Sequence, residues 1–94
     1  MRISKADVST ASAVSYMKQL CRHWAHRFPV EFDDARGTIE LPEARCTLTA
    51  SPEVLAVSVE IHEGADQERI EKVVEEHLQR FGFRETLVFQ WTRR

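Results

Sequence analysis

Nine consecutive residues, Gln19-Leu20-Cys21-Arg22-His23-Trp24-Ala25-His26-Arg27, bring together a thiol, two imidazoles, an indole and two guanidinium groups. These are the side chains that ligate metals, hold anions and move protons. Lys18, Arg22, His23 and Arg27 form a basic patch suited to a phosphate or carboxylate. His23 and His26 stand three residues apart, a spacing that brings two side chains of one helix towards a single metal ion, a haem or an acidic partner. A helical wheel separates them again. His23 falls at the flank of the apolar stripe near Tyr16 and Arg27, whereas His26 falls almost opposite it, towards solvent. A solvated pair is the plainer reading, and the HExxH arrangement of zinc proteases is absent.

His77 is the sharpest single anomaly, because it occupies an apolar position seven residues after Ile70 and four before Phe81. The wheel puts it near the middle of a buried face. A buried imidazole needs a partner for its ring nitrogens. A backbone carbonyl or a glutamate would make it a satisfied core residue; a pocket would make it a ligand or proton carrier. Cys21 lies in the apolar stripe of its helix and Cys46 on the core face of its strand, where thiols behave as small hydrophobes. Should the fold bring Cys21, Cys46 and His77 together, they would make a zinc or iron site, although no CxxC-type spacing supports it. A Cys21–Cys46 disulfide is the other pairing open to them, and a reducing compartment disfavours it.

Common catalytic signatures are missing. There is no P-loop, dinucleotide GxGxxG or GxSxG. Gly37, Gly64 and Gly82 are too scattered for a glycine-rich phosphate loop. Carboxylates are plentiful, yet none falls on a predicted apolar face where its pKa would be raised for acid catalysis. The net charge of −2 and the lack of aromatics on a basic strand face argue against nucleic-acid binding.

Positioning these residues falls to a regular series of elements. Arg2 to Val8 reads as a short strand. Thr10 or Ser12 caps a first helix whose apolar residues are Val14, Met17, Cys21, Trp24 and Phe28, ended by Pro29. Val30 and Phe32 share one strand face, and Asp34-Ala35-Arg36-Gly37 reads as a turn with Gly37 free to adopt positive φ. Ile39 and Leu41 share the next face. Cys46, Leu48 and Ala50 alternate with polar residues, as do Leu55, Val57, Val59 and Ile61. Asp66 caps a second helix through Phe81, with Gly82 as a left-handed C′ residue. Leu87, Phe89 and Trp91 share the face of a last strand and fill the core. The expected fold is α+β. An antiparallel sheet of about five to six strands carries two helices on one face, in the order β-α-β-β-β-β-α-β. That order resembles the TATA-binding-protein-like architecture, a likeness that carries no function.

The chain has 94 residues, 43% hydrophobic and 30% charged, which fits one domain over 1–94. No apolar run is long enough to span a membrane. The MRISKADVST start has no apolar signal region, so a cytoplasmic location is expected. Charge is unevenly spread: Arg2, Lys5, Lys18, Arg22 and Arg27 face only Asp7 up to residue 28, after which acids dominate. Such bipolarity would orient the molecule towards an anion or pair one copy with another.

Two segments carry a family resemblance: YMKQLCRHWAHRFPVEFD at 16–33 and VVEEHLQRFGFRETLVFQW at 73–91. Between them stand the Gly37-Thr-Ile-Glu-Leu-Pro hairpin and Cys46-Thr-Leu-Thr-Ala. Together they resemble the small bacterial proteins grouped as domain of unknown function 2218, over nearly the whole chain. The matching motif residues are His23, His26, Arg27, Cys46, His77, Arg80, Phe81 and Arg84, none with an assigned role. The family has no established activity. The resemblance implies a link to iron, because the domain also occurs attached to siderophore-interacting flavoproteins that reduce ferric siderophores. A stand-alone version, without flavin or nicotinamide domain, would not carry out that reduction. The leading expectation is therefore a non-enzymatic accessory module of iron or siderophore metabolism. His23, His26, Arg27, His77 and Arg80 would form its ligand site, with imidazoles or Cys46 touching the metal or its chelator. One alternative is an interaction domain docking on a protein such as a reductase. Another is a small enzyme with His77 as base, which requires an open pocket beside that ring. Self-association through an uncovered sheet face fits all three.

Overall fold

The structure, a computed structural model, describes residues 2–94. Its elements are β1 (Arg2–Ser9), α1 (Ala13–Trp24), β2 (Val30–Phe32), β3 (Arg36–Glu40), β4 (Ala44–Ala50), β5 (Val54–Ile61), α2 (Gln67–Phe81) and β6 (Thr92–Arg93). The order matches the alternation of polar and apolar residues. All pairings are antiparallel, and the sheet runs β2-β3-β4-β5-β1-β6.

Register puts one set of side chains against the helices. Val8 lies opposite Leu55, Leu48 opposite Val57, and Cys46 opposite Ile39 and Val59. Both helices pack on this face, so the core is a single layer of Met17, Leu20, Leu48, Leu55, Val59, Val74, Leu78 and their neighbours. The other face, with Thr38, Thr47 and Ser58 in one cross-strand row, is covered by no element among the described residues.

α1 buries Ala13, Tyr16, Met17, Leu20, Cys21 and Trp24, the three-and-four spacing of one helical face. Thr10 serves its start indirectly: its hydroxyl accepts from the Ser12 N–H at 3.1 Å, while the N-cap Ser12 makes no side-chain cap bond. The helix stops at Trp24 and does not continue to Phe28. The Arg27 and Phe28 amides both turn back onto the Trp24 carbonyl, at 3.0 and 2.9 Å, closing a tight terminal turn before Pro29. Val14 is exposed and outside the core.

α2 starts as expected, with the Asp66 carboxylate accepting from the Arg69 N–H at 3.1 Å. Two glycines differ from the sequence-based expectation. Gly82 has φ −94°, not a left-handed value. Its role is clearance, since a Cβ there would lie 3.0 Å from the Tyr16 ring and 3.1 Å from Leu87 Cδ1. Gly37 lies inside β3, where a Cβ would meet the Cys21 sulfur at 2.7 Å. The turn before it is held by the Asp33 carboxylate, which accepts from the Ala35 and Arg36 amides at 2.8 Å each. These bonds hold the Asp33 carboxyl below its ordinary pKa.

The predicted last strand over Leu87–Trp91 is not one. Only Thr92 and Arg93 pair with β1. Leu87 is buried, and Phe89 and Trp91 stack at 5.9 Å against the edge of the core.

Candidate functional site

The helical period that sends Cys21 and Trp24 inward leaves His23 on the edge of α1 that faces α2. On α2 the same period brings His77 to the seam between the helices. The rings of His23 and His77 lie 5.3 Å apart, with Trp24 4.9 Å from His77 and Phe81 5.9 Å from His23. His77 is half-buried, not central to the buried face, because it sits at the seam between the helices and on the wall of a pocket. Its Nδ1 lies 2.7 Å from the Val73 carbonyl oxygen. A carbonyl only accepts, so Nδ1 carries a proton, and Nε2 is the nitrogen left to offer a lone pair.

A pocket of about 280 Å³ opens beside this seam. Trp24, Phe28, Leu41, Ala44, Ile70 and Val73 supply its apolar lining, and Arg27, Glu43, Arg69 and His77 its polar groups. Three parts of the chain build it: the terminal turn of α1, the turn between β3 and β4, and the first half of α2. The early stop of α1 matters here, because it brings both Arg27 and Phe28 to the pocket. Glu43 forms an ion pair with Arg69. Arg27 has no carboxylate partner among the described residues, so it is the cation left for a ligand. The lining holds no hydroxyl or thiol nucleophile, and its one carboxylate is already engaged. This set of groups can bind and orient an anion beside an aromatic wall; it does not assemble a nucleophile with a base.

The structure thus brings together His23, Arg27 and His77 of the sequence-predicted residues, the two imidazoles at the seam and Arg27 on the pocket wall with His77 and Trp24. His26 and Arg80 stand apart. His26 is exposed in the turn after α1. Arg80 is exposed and borders a separate concavity with Glu75, Glu76, Gln79 and Leu87. Residues Leu41–Ala44 were missed, because a turn carries no periodic signal and joins the pocket only through the tertiary fold.

The Cys21, Cys46 and His77 trio is not assembled. Among the described residues no three His, Cys, Asp or Glu side chains converge on one metal position. Cys21 faces Gly37 under α1, and Cys46 lies in the sheet core, whereas His77 belongs to the helix seam. Both cysteines are free thiols. Burial pushes Cys21 up to about 11 and, with the neighbouring Cys21 adding to it, Cys46 up to about 12. Both therefore stay protonated at neutral pH, so neither is poised as a nucleophile.

One carboxylate contradicts the expectation that none lies on an apolar face. Glu71 is buried between Ile70 and Val74. It accepts from the Ser4 hydroxyl at 2.5 Å and from Arg93 Nε and Nη2 at 3.0 and 2.9 Å. Gln67 donates to the same Ser4 hydroxyl at 2.8 Å. Arg93, followed by Ser4, holds the Glu71 carboxyl below its ordinary pKa, so this cluster keeps a carboxylate charged and is no acid catalyst. The legible signal was Ser4, a polar residue on the core side of β1. A similar clasp joins Glu85 to the Tyr16 hydroxyl at 2.5 Å and to Thr10 at 3.0 Å. Its hydrogen bond is the main reason that the Tyr16 pKa is raised.

Comparison with known proteins places these features in context. Residues 5–92 match the model of a family described as an uncharacterized protein conserved in bacteria, DUF2218. No curated protein matches the chain. Among solved structures, the NMR structure of PA4090 from Pseudomonas aeruginosa is similar, with a TM-score of 0.77 and 34% identity. The match covers 98% of this chain and 96% of that one.

Proposed function

This chain belongs to the bacterial DUF2218 family, and from that premise we propose that it is a non-enzymatic binding module for a small anionic ligand bearing an aromatic ring. The carrying observation is the pocket beside His77, where an apolar lining adjoins the carboxylate-free Arg27. Its 280 Å³ lies at the lower edge of the ~300–1,000 Å³ typical of ligand sites, so it takes one ring-sized group. The ring would pack against Trp24 and Phe28, and the acid group would meet Arg27.

The iron and siderophore setting that the resemblance implies narrows the ligand to an aryl chelating acid, the headgroup of a catecholate or salicylate siderophore. Iron would arrive with its chelator, because the pocket's single carboxylate is paired with Arg69. We place this activity in the cytoplasm, where Cys21 and Cys46 would remain reduced.

Two-dimensional ¹H–¹⁵N NMR with salicylate or 2,3-dihydroxybenzoate, in the presence of EDTA, tests the reading. The Trp24 indole and the amides of Leu41, Ala44 and Val73 should shift saturably. The Trp91 indole, which donates to Glu75 at 2.9 Å, should not. Arg27→Gln should weaken binding roughly tenfold, the worth of a charge-assisted hydrogen bond. No saturable shift, or equal affinity in Arg27→Gln, would overturn the proposal.

A further inference from the structure

We propose that His23 and His77 form a two-imidazole site for a borderline divalent ion, Zn²⁺, Ni²⁺ or Cu²⁺. The ion's remaining coordination positions are open to a chelating ligand in the adjoining pocket. Only this last clause rests on the proposed function; the ion site itself stands on the helix seam.

Spacing is the first observation. Two imidazole nitrogens about 2.0–2.1 Å from one tetrahedral ion place their ring centroids about 5 Å apart. The observed separation is 5.3 Å.

The tautomer is the second observation. The Val73 carbonyl fixes the proton of His77 on Nδ1. Metal-binding histidines use such an outer hydrogen bond to set the ring and leave the other nitrogen for the ion. Among the described residues Nε2 of His77 makes no hydrogen bond, yet no buried side-chain nitrogen or oxygen there lacks a partner. Nε2 is therefore open to solvent, and the exposed His23 ring lies 5.3 Å from the His77 ring, centroid to centroid.

Donor type selects the ion. Imidazole nitrogens with no carboxylate partner favour Zn²⁺, Ni²⁺ and Cu²⁺ over hard oxygen-seeking ions. Two protein ligands leave positions for an exogenous chelator, as in sites that keep an open coordination position. Arg27 alone would repel the cation; an acid group bound to Arg27 offsets that charge and brings its own oxygens to the metal.

The test is a Zn²⁺ titration of the full chain, without chelator, followed by imidazole ¹⁵N shifts of all four histidines. One equivalent should move His77 Nε2 and one ring nitrogen of His23, leaving His62 unchanged. His23→Ala, a surface change that should not disturb folding, and His77→Gln should each weaken Zn²⁺ binding at least tenfold. His26→Ala should leave it unaltered. Absence of saturable binding would overturn the site. So would loss of binding in His26→Ala with retention in His77→Gln, since the ligands would then be the His23–His26 pair of the first helix. The salicylate titration in EDTA reports on the pocket independently, so failure of the ion site and failure of the pocket give different results.

Discussion

A single hydrogen atom in place of a side chain decides how closely α1 approaches the sheet. At Gly37 an added Cβ would lie 2.7 Å from the Cys21 sulfur and 3.2 Å from Phe32 Cβ, well inside ordinary contact. Cys21 is fully buried, so the sulfur cannot swing away into solvent. Gly37→Ala should therefore destabilise the fold by about 1–3 kcal/mol, the usual cost of overpacking a core. A double-mutant cycle isolates the cause. In a Cys21→Ala background the sulfur is gone, and Gly37→Ala should cost much less, as read from urea unfolding midpoints. Equal cost in both backgrounds would mean that the sulfur is not the obstacle. The same pair explains why the thiols do no chemistry: the close packing that makes Gly37 necessary also keeps Cys21 dry and protonated. His77 is the opposite case. Its place on the seam leaves one nitrogen fixed and one open, a combination that the apolar periodicity of α2 could not reveal.

At the scale of elements, the C-terminal clasp carries a clear electrostatic signature. β6 has two residues, too few to hold by ladder bonds alone, and Arg93 ties it to Glu71 on α2. The Glu71 carboxyl lies below its ordinary value of 4.5, chiefly because Arg93 hydrogen-bonds its charged form. A depressed carboxylate pKa contributes stability that is present above 4.5 and lost as pH falls through the lower folded value. Arg93→Ala should thus lower stability at pH 7, because it removes both guanidinium hydrogen bonds from the buried Glu71 carboxylate. Its deficit relative to wild type should shrink in acid below that window. Thermal melts from neutral pH down through the carboxylate range would check this; a constant deficit would count against the clasp. The order of elements was legible because Leu55, Val57, Val59 and Ile61 alternate strictly while Met17, Leu20, Cys21 and Trp24 follow a helical period. The last strand was misread for a physical reason. Leu87 donates its N–H to the Gln79 side chain at 2.8 Å, and Gln79 also bonds the Gly82 and Glu85 carbonyls. The Gln79 side chain thus takes the first N–H that local patterning assigns to a ladder and ties down the loop leading to it. Likewise the wheel placed His23 on the flank of its apolar stripe and Pro42-Glu43 read as a turn, but neither the approach of His23 to His77 nor the place of Leu41–Ala44 in the pocket could be seen until the sheet closed on α2.

For the molecule as a whole, the uneven charge distribution becomes a statement about where a ligand arrives. Basic residues are concentrated on α1 and its terminal turn, while acids crowd the later chain. The pocket lies where the two regions meet, and there the nearest acid, Glu43, is already paired with Arg69. An approaching anion thus meets Arg27 without a competing carboxylate on that side chain. Neutral apolar packing against Trp24 and Phe28 responds weakly to salt, whereas attraction to an exposed guanidinium is screened over a Debye length of ~10 Å at 0.1 M, shrinking to ~3 Å at 1 M. Affinity for an aryl acid should accordingly fall severalfold between low and high salt, and the residual affinity should reflect ring packing. Arg27→Gln should flatten this dependence while leaving the residual term near that of the wild type. Titrations of salicylate at stepped NaCl concentrations distinguish the contributions. A steep slope that persists in Arg27→Gln would move the anion contact elsewhere in the basic patch, to Arg22 or Lys18. Lys18 is paired with Asp34, and Arg22 stacks over Phe32 at 5.9 Å, both away from this pocket. A slope in Arg27→Gln would therefore contradict the proposed site itself as well as the choice of arginine.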